Sequence, residues 1–398
     1  MENFIFYNPV KIVFGAGESK QTGLEAAKLG KNALVVSYKQ HEFFEELLKD
    51  ITSQLEEIGV KANVFYEVTA NPTIDQVRQG VTVAKSEGVD VIIAVGGGSA
   101  MDAAKLIAAG VLYPSDPWDM IVTRHDNVTA VAPTEALPMV MVPTLPATAS
   151  EMNPGAVVTN PETEEKSYVF AECLFPKVSI LDPALTTTLP AYQTACGAAD
   201  AISHALESYL NAPADTPLQD GMLESVIRTT VDNAKVALAE PSNISARSNL
   251  QWSASLAWNG WCNAGVNSWA PMHQLGHPMS AKFNLAHGAS LAVVMPSWMR
   301  YILPNRLERL VKFATNAMNV NPAGKTEEQI ANEGIDTFEK FLKEIGVPTT
   351  LSAANIPADA IDSLVEDVRK ISLNDEGTLI GRPAVDIEGV REIYNLAL

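Results

Sequence analysis

Residues 89–95 (VDVIIAV) form a near-continuous apolar run that leads directly into Gly96-Gly97-Gly98-Ser99. A strand apolar at successive positions is buried on both faces, which is the condition of a parallel sheet covered by helices. Flanking segments fit that reading. Residues 32–37 (NALVVS) and 63–66 are strand-like, as are 138–142 and 178–181. Between them, Phe44, Leu48, Ile51, Leu55 and Ile58 recur at spacings of three and four, and 73–87 and 99–110 carry the same helical period. Strand–helix alternation with short connections predicts a mostly parallel sheet.

After Leu181-Asp182-Pro183 the pattern changes. From about Ala191 onward strand signals nearly vanish and helical periodicity runs to the end. Pro183 and Pro190 bracket a boundary, so the chain is read as an α/β domain over 1–188 and an all-helical domain over 189–398.

Charge narrows the function. Lys plus Arg is 28 against 47 Asp plus Glu, a formal net charge of −19. Such a chain repels phosphate backbones and anionic membranes, so no nucleic-acid or membrane partner is expected. No run of 18 apolar residues occurs, the first residues do not read as a secretory signal, and three cysteines are few for the length. The expected setting is cytoplasmic.

Two groups of residues carry chemistry. The first is the glycine turn 96–99, which opens a helix whose free N–H groups and dipole favour a phosphate, as in a dinucleotide pyrophosphate. It is neither G-x-G-x-x-G nor a P-loop, and the same glycines also serve a turn that only redirects the chain. The second is a set of histidines. Four of the six lie between 204 and 287, with Asp200/His204 and His273/His277 each four apart on a helical face and His287 ten residues on. Carboxylate plus imidazole suits divalent iron or zinc, and a catalytic site keeps one position open. One of these five residues is therefore not a ligand, and residue chemistry alone does not say which. Between Arg247 and Lys282 there is no charged residue, only a stretch rich in Asn, Ser, Trp and His, read as a buried helix pair or a pocket wall. Trp252, Trp258, Trp261 and Trp269 within it are expected mainly to pack helices together.

The motifs GGGSAMDAAK (96–105), PTLPATASEMN (143–153), LDPALTTTLP (181–190), GAADAISHALE (197–207) and HQLGHPMSAKFNLAHG (273–288) together resemble the iron-containing (group III) alcohol dehydrogenase family. Within it, PTLPAT and DPWDM (116–120) are most like the butanol-dehydrogenase-type, NADPH-dependent aldehyde reductases. The resemblance implies a Rossmann-like dinucleotide-binding domain followed by an all-α metal-binding domain, the dehydroquinate synthase-like architecture. It implies Asp200, His204, His273 and His287 as ligands of Fe²⁺, with Zn²⁺ as alternative, and His277 as a proton relay outside the ligand set. Gly97, Gly98, Ser99 and Asp102 would meet the pyrophosphate. Thr144, Thr148, Asn153 and Lys166 would surround the nicotinamide ribose, and Asn71 the adenosine half.

Ala147 and Ala149 stand where the family carries glycines, adding two methyls beside the cofactor. Many NAD-preferring members place an Asp after the second strand; here Tyr38 and Lys39 follow, which favours NADP(H) over NAD(H). The implied reaction is hydride transfer between nicotinamide and short-chain primary alcohols or aldehydes. A glycerol-dehydrogenase-like polyol oxidiser and a sugar-phosphate cyclase of the same architecture are the alternatives, and a homodimer paired through residues 4–7 and 11–14 is the expected assembly.

Overall fold

The computed structural model describes residues 1–38, 42–122, 130–266 and 270–398. Lys39, His41, His125 and Trp269 lie outside these residues. The chain forms two compact units, one of residues 7–188 and one of residues 1–6 with 189–398.

The first unit is built on six parallel strands in the order β1-β8-β5-β4-β2-β3: β1 (Lys11–Phe14), β2 (Asn32–Tyr38), β3 (Lys61–Val68), β4 (Val91–Gly96), β5 (Met139–Pro143) and β8 (Val178–Leu181). Its helices are α1 (Thr22–Ala27), α2 (Glu42–Glu57), α3 (Ile74–Glu87) and α4 (Gly98–Leu112). Successive residues of one strand serve opposite cores: Leu34 and Val36 pack with α3 and α4, whereas Ala33 and Val35 pack with α1 and α2. This is why VDVIIAV is apolar throughout rather than alternating. Two of the helix starts and stops are chemically plain. Thr73 and Gln76 form a capping box at the start of α3, and Gly88 ends it in a left-handed conformation.

An antiparallel hairpin, β6 (Gly155–Asn160) and β7 (Glu165–Phe170), is absent from the sequence reading. Residues 4–7, expected as strand, have no strand geometry; among the described residues they have no ladder partner, and Ile5 is exposed. Residues 11–14 do form a strand, paired in parallel with β8.

The second unit is helical: α5 (Ala191–Asn211), α6 (Pro217–Ala239), α7 (Ile244–Ala257), α8 (Pro271–Phe283), α9 (His287–Lys312), α10 (Glu327–Glu344), α11 (Ile361–Ile371) and α12 (Ile387–Leu396). One small exception is a two-residue pair of strands, β9 (Thr378–Leu379) with β10 (Val385–Asp386). A single core joins α5, α8 and α9 through residues such as Ile202, Leu206, Met279, Leu291 and Met295. Among the described residues no helix is long and apolar enough to cross a membrane.

Candidate metal centre and dinucleotide site

In the helical unit, Asp200 and His204 lie one turn apart on α5, His273 and His277 one turn apart on α8, and His287 is the first residue of α9. Asn284 ends α8 in a left-handed conformation, so α9 starts only three residues later. Gly288 then lets α9 lie against the α5 backbone: a Cβ at that position would stand 2.0 Å from the carbonyl oxygen of Cys196. That approach is what brings His287 to the residue one turn beyond Cys196, namely Asp200.

Three imidazoles converge on one carboxylate oxygen. From Asp200 Oδ1, the Nε2 atoms of His204, His287 and His273 are 3.5, 3.7 and 4.0 Å away. These separations are longer than good hydrogen bonds but close to those between ligands sharing an ion about 2.1 Å from each. Ligand atoms of Asp200, His204 and His273 all lie within 4.8 Å of one another. Asp200, His204 and His273 are buried, and His204 Nε2 has no hydrogen-bond partner among the described residues. A buried imidazole nitrogen facing a carboxylate across 3.5 Å is an arrangement a cation between them would satisfy, so the donor set fits a divalent metal. Burial, reinforced by His273 and His277, holds His204 well below the usual imidazole range, in its neutral, ligating form. Burial pushes the thiol of Cys196, one turn before Asp200, up to about 11. His277 is buried with its ring 6.4 Å from that of His273 and 5.6 Å from that of His287, outside the atoms that surround Asp200 Oδ1.

Two residues of this centre escaped the sequence reading. Glu207, buried on α5, receives the N–H groups of Met272 (2.6 Å) and His273 (3.1 Å) at Oε1, while its Oε2 pairs with His273 Nδ1. A carboxylate can only accept, so Nδ1 carries the proton and Nε2 keeps its lone pair toward Asp200. The spacing Asp200, His204, Glu207 on one helix face was the available signal. Trp258 stacks on the His204 ring, centroids 4.8 Å apart and planes 12° apart. The tryptophans do not act together as helix packing: Trp252 and Trp261 are exposed, the latter edge-on to Phe6.

In the α/β unit the predicted cofactor residues also come together. The order of strand addition reverses between β2 and β4, and ligands of such parallel sheets bind at the strand ends beside that switch point. Tyr38 ends β2 and Gly96 ends β4. Gly97 N–H donates to the Tyr38 hydroxyl at 3.1 Å, and burial pushes that phenol up to about 12. Asn71 N–H donates to Ser99 Oγ, and Lys166 Nζ to Asn71 Oδ1, at 3.2 and 2.9 Å. Thr144 N–H donates to Gly96 O across the β4–β5 ladder. Gly98 faces Thr148: a Cβ there would lie 2.6 Å from Thr148 Cγ2. Asn153 Nδ2 donates to Thr148 O. The glycine turn and the N-terminal N–H groups of α4 suit a pyrophosphate.

Asp102, expected at the pyrophosphate, lies one turn into α4. Its carboxylate accepts from Ser150 Oγ (2.7 Å) and Val157 N–H (3.0 Å), tying α4 to the following loop and hairpin, and burial raises its pKa. Lys105, one turn on and fully buried, donates to Asn153 O, Asn153 Oδ1 and Gly155 O, with burial bringing it down to about 8. Ala149 takes φ 53°, the left-handed region that favours glycine.

The model of the iron-containing alcohol dehydrogenase family matches residues 9–183, and that of the Fe-containing alcohol dehydrogenase C-terminal family matches residues 194–397. The chain is 35% identical over 402 residues to NADH-dependent butanol dehydrogenase A of Clostridium acetobutylicum, covering 99% of each protein. It is 31% identical over 405 residues to the NADPH-dependent aldehyde reductase of Escherichia coli (strain K12), covering 100% of each. The crystal structure of NADH-dependent butanol dehydrogenase A from Thermotoga maritima superposes with a TM-score of 0.92 at 36% identity, covering 100% of this chain and 99% of that one. From the matched models, these relatives and the converging Asp–His set, the chain belongs to the iron-containing alcohol dehydrogenase family.

Proposed function

We propose that the protein is a metal-dependent aldehyde reductase and alcohol dehydrogenase acting on short-chain primary aldehydes and alcohols, with Asp200, His204, His273 and His287 holding Fe²⁺ or Zn²⁺. The observation that carries the reading is the convergence of three imidazole Nε2 atoms on Asp200 Oδ1 within 4.0 Å. A divalent metal in such a set supplies Lewis-acid polarisation of a carbonyl, and a nicotinamide supplies the hydride.

The chain's own residues do the remaining work. Glu207 keeps the His273 lone pair aimed inward, and burial keeps His204 neutral. His277 is the proton donor of this reading: it is buried beside the ligand set, its ring 5.6 Å from that of His287. In the α/β unit, Gly97, Gly98, Ser99 and Asp102 present the start of α4 to the pyrophosphate, Thr144, Thr148, Asn153 and Lys166 bound the nicotinamide and its ribose, and Asn71, bonded to Ser99 and Lys166, serves the adenosine half. NADP(H) is the favoured nicotinamide in this reading, because the β2 end offers Tyr38 and then Lys39 rather than an acid that would repel a 2′-phosphate. A cytoplasmic homodimer completes it.

The test is anaerobic butanal reduction by chelated and Fe²⁺-reloaded protein, with NADPH and NADH in parallel. Activity that returns with iron and is faster with NADPH supports the whole reading. Iron-dependent activity confined to NADH overturns the cofactor preference alone, and no activity with either cofactor overturns the function.

A further inference from the structure

His273 is held from behind by a carboxylate; His204 is held by an indole. Trp258 lies 4.8 Å from the His204 ring at 12° and 6.5 Å from the His273 ring at 23°, so three rings run nearly parallel beside the proposed ligand atoms. The backbone that carries the indole ends in an ordered turn. Trp258 follows the last residue of α7, and the turn after it is closed by Asn259, buried, whose Oδ1 accepts the Trp261 N–H at 3.0 Å, and by Gly260 at φ 89°. An imidazole can rotate about its Cβ–Cγ bond, and a metal ligand that does so loses its lone-pair direction. A parallel indole stacked against its face opposes that rotation while leaving the in-plane lone pair of the ring clear.

We propose that Trp258 is a positioning residue of the metal centre: its stacked indole fixes the plane of His204 so that Nε2 stays directed at the ion, and it thereby slows metal release. This rests on the reading of Asp200, His204, His273 and His287 as ligands. The role belongs to an aromatic ring, not to side-chain bulk, and that distinction makes it testable.

The experiment compares the wild type with Trp258→Phe and Trp258→Leu, each loaded with Co²⁺, without using turnover. Release of Co²⁺ to a strong chelator is followed by loss of its visible absorption, and folding is checked by circular dichroism. The expected result is release about tenfold faster from Trp258→Leu, release close to wild type from Trp258→Phe, and a cobalt band altered only in the leucine variant. Co²⁺ loading should also quench wild-type tryptophan fluorescence, with that component missing from both variants. Equal release from all three proteins, or a phenylalanine variant as fast as the leucine one, would overturn the proposal. If Trp258→Leu does not fold, Trp258→Met replaces it with the same expectations. A wild-type protein that binds no Co²⁺ would instead overturn the metal centre itself.

Discussion

Replacing Glu207 by glutamine changes one atom of a buried side chain and sets two requirements against each other. Oε1 of Glu207 accepts the N–H groups of Met272 and His273 at the start of α8, and Oε2 pairs with Nδ1 of His273. Glutamine has one acceptor oxygen. If that oxygen keeps the two backbone bonds, the amide NH₂ faces Nδ1, which must then become an acceptor; the proton moves to Nε2 and the ligand lone pair is lost. Loss of such a partner behind a metal-bound histidine weakens metal binding roughly 10- to 100-fold, about 1.4–2.8 kcal/mol. If the amide turns over to save the tautomer, two buried N–H groups lose their acceptor, at about 1–3 kcal/mol each in folding stability. Competition with a fluorescent zinc chelator reads the first outcome, and urea unfolding of the metal-free protein reads the second. A Glu207→Gln protein unchanged in both would refute the reasoning.

Other substitutions separate the parts of the account. His277→Ala should retain full metal content by elemental analysis while kcat falls about 100-fold and its pH profile loses a limb; loss of metal instead would make His277 a ligand. Gly98→Ala places a Cβ 2.9 Å from Thr148 Oγ1, which also accepts the Ser150 N–H, so dinucleotide affinity by calorimetry should drop about tenfold with metal content unchanged. Lys105 has its pKa pushed down to about 8 by burial, whereas in the unfolded chain it is about 10.4. Between those values the unfolded chain binds more protons, so this group's contribution to unfolding free energy rises with pH. The wild-type-minus-Lys105→Met difference, followed by urea unfolding from pH 7 to 10, should therefore climb above pH 8; a flat or falling difference contradicts the buried-ammonium reading.

Much of this was legible because it is local. Doubly buried strands read as apolar runs, and the stretches read as strand at 138–142 and 178–181 fall on β5 and β8. Asp200/His204 and His273/His277 were visible because a helix repeats every 3.6 residues. What escaped depends on partners distant in sequence. Glu207 acquires its role from residues more than 60 positions away, and Trp258 from a ring on another helix. β7 carries Glu165, Lys166 and Ser167 at buried positions, so that strand of the hairpin lacks an apolar signature. Lys166 there is buried because Asn71 receives its ammonium. Residues 4–7 failed in the other direction: an apolar, β-prone run became no strand, since propensity without a ladder partner does not make one.

The most direct test of the central claim is an anomalous difference map from crystals of the iron-loaded protein, collected at the iron absorption edge. The account predicts one strong peak bonded to an Asp200 carboxylate oxygen and to the Nε2 atoms of His204, His273 and His287, with His277 beyond bonding distance. A peak bound elsewhere, or none in protein that reduces aldehydes, would contradict it.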